Sequence, residues 1–132
     1  MSEENVEVAR RALEAIARRD RTAFLALHDE DFELVPIREW PEPGVRGNEA
    51  AWERYLKTFS AFERFPIEDG EIVDAPADKV LLHYRFDLSG RGSGAGVEFA
   101  YWNVVTIREG RILRSEWFED RAEALEAAGL SE

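Results

Sequence analysis

The chain has 132 residues, enough for one domain with a real core and too few for two ordinary ones. Hydrophobic residues make up 45% and aromatics 11%, which excludes disorder as the default. Acidic residues outnumber basic ones by 28 to 17, and the net charge of −11 excludes nucleic acid and anionic membrane as non-specific partners. The absence of cysteine excludes a disulfide framework, a thiolate nucleophile and a cysteine metal site.

The opening MSEENVEVARR is charged, without the apolar segment of a secretion signal, and no apolar run approaches membrane length. A soluble, cytoplasmic protein is the simple expectation. Val6, Ala9, Leu13, Ile16 and Ala17 recur at helical spacing, predicting an amphipathic helix from about Glu3 to Arg18. Asp20 is placed to cap a second, shorter helix carrying Phe24, Leu25 and Leu27, which ends at His28. The acidic run Asp29–Asp31 leads into a short strand, Phe32–Val35, and Pro36 stops its pairing. From Ile37 to Arg46 two prolines and a glycine predict irregular chain.

Gly47 and Asn48 open a third helix, Glu49 to Phe62, with Ala51, Trp52, Tyr55, Leu56 and Phe59 on its apolar face. Strands follow at about Ile67–Asp74 and Val80–Leu88. In the second, Val80, Leu82, Tyr84, Phe86 and Leu88 alternate with Leu81, His83, Arg85 and Asp87. The glycines of SGRGSGAG are not spaced as a phosphate loop and no helix follows them, so this segment is a connector.

The stretch from Gly96 to Glu119 holds two long apolar-rich runs joined at Glu109–Gly110, where glycine tolerates the positive φ of a tight hairpin. Val97, Phe99, Tyr101, Asn103, Val105 and Ile107 share one strand face; Glu98, Ala100, Trp102, Val104 and Thr106 share the other. Both faces are largely apolar, so both should be covered. Asp120 caps a last helix, RAEALEAA, which Gly129 terminates. Late strands joined by short turns favour an antiparallel sheet with the helices on one face.

The first helix leading into ARRDRTAFLALHDEDFEL, the VRGNEAAWERY approach to the third helix, and the closing WNVVTIREGRILRSEWFEDRAEALEAAGL resemble the nuclear transport factor 2-like superfamily, of the ketosteroid isomerase and SnoaL-like polyketide cyclase type. The resemblance spans nearly the whole chain. It implies an α+β fold: a strongly curved antiparallel (mixed) sheet wrapped around three N-terminal helices as a cone-shaped barrel with a pocket. The superfamily includes isomerases, cyclases, epoxide hydrolases and non-catalytic binding or assembly domains, so it points less sharply to an activity. In the ketosteroid isomerases the catalytic base is an aspartate at the position of Pro36, and a tyrosine donor stands at the position of Ala12. Their second donor, a protonated aspartate, stands where this chain has Asn103. Steroid isomerisation by that machinery is therefore not expected, although the Asn103 amide retains a donor for a ligand carbonyl. Limonene epoxide hydrolases need two aspartates bridged by an arginine inside the pocket. Arg85 and Asp87 match by type, but alternation puts them outside.

Asn103, Glu119 and His28 are the catalytic candidates, and Trp40, Tyr55, Tyr84, Tyr101, Asn103 and Trp117 the ligand-binding ones. Each has a plainer alternative. Asn103 serves a ligand or bonds a neighbouring side chain. Tyr84, Tyr101 and Trp117, on its face, hold an aromatic ligand or simply pack the core. Glu119, two residues beyond Trp117, is an inward general base or a solvent-exposed strand end. His28, at a helix C-terminus that favours its protonated form, transfers protons or caps the helix. Glu39 and Trp40 form a lid or a surface turn. His83, Trp102, Val104, Ile112 and Phe118, on the opposite face, suggest a homodimer interface. Neither a metal nor a cofactor is called for, since two distant histidines among scattered carboxylates make no metal signature. The expected ligand is a small apolar or aromatic molecule, polyketide-like or steroid-like.

Overall fold

A computed structural model describes residues 2–38, 40, 42–59, 67–87 and 98–130; at 2, 58–59, 67–70, 84–87 and 98–100 the backbone alone is described. Among them four helices and six strands run in the order α1 (Ser2–Arg18), α2 (Arg21–Leu27), β1 (His28–Val35), β2 (Val45–Arg46), α3 (Asn48–Phe59), β3 (Ile67–Ala75), β4 (Lys79–Asp87), β5 (Glu98–Arg108), β6 (Arg111–Phe118) and α4 (Arg121–Ala128). The strands form one sheet in the order β2-β1-β6-β5-β4-β3. All neighbours are antiparallel except β1 and β6, which run parallel, so the sheet is mixed. Its edges, β2 and β3, are not paired with each other, so it curves without closing into a barrel.

The helix boundaries follow from local chemistry. Asp20 accepts from the Ala23 N–H at 3.1 Å and starts α2. Asp120 does the same for α4 through the Glu123 N–H, and Gly129, at φ 77°, ends it in the left-handed conformation. In the β5–β6 hairpin both Glu109 (φ 52°) and Gly110 (φ 77°) take positive φ, as a two-residue turn matched to the sheet twist requires. The strand expected at Phe32–Val35 begins earlier, at His28, immediately after α2. The stretch expected to be irregular contains the two-residue strand β2, where a side chain on Gly44 would stand 2.6 Å from the Leu34 carbonyl. The third helix starts one residue early; 60–62, its expected end, lie outside the described residues, as do 88–97, which hold the glycine-rich connector.

The core lies between the concave face of the sheet and α1–α3. Ala9, Ala12 and Ala15 let α1 approach closely, and Phe24, Phe32, Leu34, Trp52, Val80, Val105 and Ile107 fill the space. A second, smaller core lies on the opposite face. There α4 lays Ala124, Leu125 and Ala128 over Leu81 and Val104, with Trp102 and Phe118 packed at its border. The helices thus occupy both faces rather than one.

Ile112, expected on the outer face, belongs to the inner core and is 2% exposed. The pairing explains it. Thr106 opposes Arg114 but Ile107 opposes Ile112, so Leu113 is an extra residue on β6. One inserted residue reverses which face each following side chain takes.

Candidate functional site

Three elements bring polar side chains together within the inner core. Asn103 on β5 is 2% exposed and Ser115 on β6 is 3% exposed. The Asn103 Nδ2 donates to Ser115 Oγ at 2.8 Å and to the Glu116 carbonyl at 3.0 Å. A carbonyl oxygen only accepts, so the second bond fixes which end of the amide faces β6. Tyr55 reaches the same group from α3, hydrogen-bonding Ser115 and the Trp117 indole. Burial pushes its hydroxyl pKa up, and these two hydrogen bonds oppose the rise only in part. Tyr55 is therefore a neutral phenol at physiological pH.

Asn103 faces inward, as alternation along β5 requires: Val105 and Ile107, which share its parity, lie in the helix-facing core. Its two amide protons, however, are engaged by the protein, so the donor role expected toward a ligand carbonyl is already occupied. Ser115 was not among the candidates. A serine interrupting the inward face of β6, beside a strand carrying an inward asparagine, was the signal for it.

Tyr101 and Trp117 are partly exposed and meet edge to face at 6.4 Å, bordering the polar group. Burial first, and then the negative charge of Glu119, raise the Tyr101 pKa. Glu119 is exposed, just past the end of β6, and stands in electrostatic reach of the Tyr101 hydroxyl. Tyr84 pairs with Tyr101 across β4 and β5, but its side chain lies outside those described. Val35, the last residue of β1, pairs with Glu116, so the chain carrying Trp40 leaves the sheet at the Trp117 end. Trp40 is 38% exposed, and the described contacts do not bring it to Asn103. Glu39 lies outside the described residues. Arg85 lies on β4 with its side chain likewise not described, as is that of Asp87.

His28 is placed elsewhere. It pairs with Ile112, five residues along β6 from the partner of Asn103, on the order of 15 Å away at the rise of a strand. Its ring is 3% exposed, stacks on Phe24 at 3.9 Å and meets Phe32 edge to face at 4.7 Å. Nδ1 hydrogen-bonds the Phe24 carbonyl at 2.8 Å. Since a carbonyl cannot donate, Nδ1 carries the proton. The helix C-terminus does not keep this ring charged: burial is the largest influence and, with the Arg111 charge, lowers the pKa to about 4. Beside it, Asn48 Nδ2 and an Arg111 guanidinium nitrogen both donate to the Leu25 and His28 carbonyls, at 3.1 to 3.5 Å. His28 thus caps and packs the α2–β1 junction.

Pro36 and Ala12, at the positions of two ketosteroid isomerase functional groups, carry no proton donor or acceptor on their side chains. A family model described as a SnoaL-like domain matches residues 9–115. The chain belongs to the SnoaL-like domain family. The matched span includes Tyr55, Asn103 and Ser115, while Trp117, Glu119 and α4 follow it. Among solved structures, this SnoaL-like domain is similar to a nuclear transport factor 2-like protein from Burkholderia xenovorans LB400. The identity there is 26%, over 97% of each chain, with a TM-score of 0.71. It is also similar to a candidate polyketide cyclase from Xanthomonas campestris pv. campestris, at 18% identity, over 92% of this chain and 94% of that one, with a TM-score of 0.71. A third likeness is to TerC co-crystallised with polyporic acid, at 17% identity, over 95% and 97%, with a TM-score of 0.69. These last two are likenesses of fold. No match was found among curated proteins. No helix of the described residues is long and apolar enough to cross a membrane.

Proposed function

We propose that this SnoaL-like domain binds a small apolar or aromatic, polyketide-like or steroid-like compound against the concave face of its sheet. The activity we assign is cofactor-independent isomerisation, cyclisation or hydrolysis in the cytoplasm, without the base that ketosteroid isomerases use. The observation that carries this reading is the buried polar group of Tyr55, Asn103 and Ser115, bordered by the partly exposed rings of Tyr101 and Trp117. A core built only for stability gains little from such a group, because buried polar atoms contribute only when fully hydrogen-bonded. Aromatic rings beside a few fixed polar atoms suit a flat ligand. The fold relative TerC was co-crystallised with a small molecule, polyporic acid, which agrees with this class of occupant. In this scheme Glu119 accepts the proton at the site's open end and Tyr101 donates a hydrogen bond beside it.

A thermal-shift panel of aromatic and polycyclic ketones, phenols and acids tests the reading. A ligand at a hundred times its Kd stabilises the folded state by about 2.7 kcal/mol, so at least one compound class should raise the melting temperature by several degrees. A panel without any concentration-dependent rise would remove it.

A second reading, a non-catalytic dimeric binding domain, draws on the outer face. His83 stacks on Trp102 at 4.6 Å and 10°, and its Nε2 is buried without a hydrogen-bond partner. In both readings we propose a homodimer that covers Trp102, Phe118 and His83 beside α4. Its support is narrower than the sequence suggests, because α4 covers Val104 and Ile112 points inward. Light scattering at micromolar concentration should give twice the chain mass; a monomer mass would end the proposal.

A further inference from the structure

The indole of Trp117 carries a single polar atom, and that atom only donates. Its hydrogen bond with Tyr55 therefore has one direction: Nε1–H of Trp117 gives its proton to the phenol oxygen on α3. The same oxygen is joined to Ser115, the preceding inward residue of β6, and Ser115 Oγ accepts from Asn103 at 2.8 Å. Tyr55 is held from the core side, where its ring meets the fully buried Phe24 edge to face at 5.7 Å. Trp117 is only partly buried, and its ring meets Tyr101 edge to face at 6.4 Å and 83°. A continuous path thus runs from a fixed core ring, through one directional bond, to the two rings that border the site.

We propose that Tyr55 is a positioning residue: it holds the Trp117 indole, and through it Tyr101, as a rigid aromatic wall for the ligand. The inference rests on the small-molecule reading above and deepens it. Tyr55 is 8% exposed and acts through Trp117, without touching the ligand itself. An indole on a strand turns about two side-chain bonds, and apolar contact alone leaves it a choice of rotamers. A hydrogen bond at one corner of the ring removes that choice. A flat ligand that stacks on a wall already set loses less freedom on binding. The bond also occupies the indole donor, so Trp117 offers the ligand its ring and no hydrogen bond.

Tyr55→Phe tests this, since it keeps the ring against Phe24 and removes only the hydroxyl. Isothermal titration of the wild-type protein with β-naphthol, β-tetralone and 2-naphthoic acid comes first, and the tightest binder serves as the probe. Tyr55→Phe should weaken that probe about threefold to tenfold, the margin expected when one more side chain must be ordered on binding. Made in a Trp117→Phe background, the same substitution should change the affinity by less than about twofold, because the indole it acts through is gone. An equal loss in both backgrounds, or no loss in either, overturns the proposal while leaving a small-molecule site in place. Failure of all three compounds to bind the wild-type protein overturns both. The ligand-free protein gives a second readout. The Trp117 indole proton, assigned as the nitrogen-15 correlation missing from Trp117→Phe, should exchange slowly with solvent and move upfield in Tyr55→Phe. If the titrations fail for want of a folded or binding variant, that proton decides: exchange as fast as in free indole overturns the proposal.

Discussion

Phe24→Ala is expected to destabilise the protein by about 3–5 kcal/mol. Phe24 is fully buried and sits where three elements meet. Its ring stacks on His28 at 3.9 Å, and meets Trp52 at 5.2 Å and Tyr55 at 5.7 Å. Truncation removes the buried apolar surface and leaves a cavity that neither α3 nor the sheet can close without moving the other. It also removes three aromatic contacts, each worth about 0.5–1.5 kcal/mol beyond burial alone. Against a total stability of about 5–15 kcal/mol this is a large fraction. Urea unfolding should show a lower midpoint with an unchanged slope. A loss below about 1 kcal/mol would mean that the α2–α3 contact is not the centre of the core. Because Tyr55 leans on this ring, any ligand held beside Tyr55 should also bind more weakly in the variant.

The second large effect is a loss of stability in mild acid that belongs to His28. The folded ring takes up its proton only near pH 4, whereas in the unfolded chain it does so at the ordinary value of 6.5. Between those values the unfolded chain binds the additional proton. The stability is therefore complete above pH 6.5, declines as the pH falls, and stops declining from this cause below about 4. By pH 5 the loss amounts to about 2 kcal/mol, or roughly 6–10 °C in melting temperature for a domain of this size. Carboxylates remain mostly ionised at pH 5, so the window from 6.5 to 5 belongs to histidine, and a His28 variant separates this ring from His83. In His28→Gln the melting temperature should be lower at neutral pH, from the lost stacking, but nearly flat across that window. Parallel pH profiles for the two proteins would show that the ring is not held neutral by burial.

The alternation of Val80, Leu82, Asn103, Val105 and Ile107 told which side of the hairpin faces the helices, because a two-residue period admits only two registers and one buries the apolar set. The caps at Asp20 and Asp120 and the turn at Glu109–Gly110 were equally legible, since each meets a local backbone need with a local side chain. Ile112 was not. The extra residue at Leu113 is set by how β6 accommodates β5 and β1 together, and a single strand carries no mark of it. The two residues of β2 are too few for any period to register. At the site, the inward direction of Asn103 was readable but its bonding was not. Which end of an amide a neighbour engages depends on Ser115 and the Glu116 carbonyl, twelve and thirteen residues away in sequence. The neutrality of His28 was hidden for a similar reason. A helix C-terminus is visible in the sequence, whereas the desolvation by Phe24 and Phe32 that outweighs it appears only once the chain has folded.

The double clasp of Asn48 and Arg111 on the Leu25 and His28 carbonyls has a consequence for how the chain is made. Arg111 holds a junction 83 to 86 residues earlier, and the parallel pairing of β1 with β6 spans a similar distance. Neither can form until the last hairpin has been synthesised. The N-terminal third therefore emerges from the ribosome with the Leu25 and His28 carbonyls held by Asn48 alone and one edge of β1 unpaired. Such distant pairings slow folding, because the chain entropy of closing the long loop is lost before the contacts are gained. The final third of the polypeptide acts as the latch for the first, and a nascent chain cut short before Arg111 lacks the second donor to this junction and the β6 partner of β1.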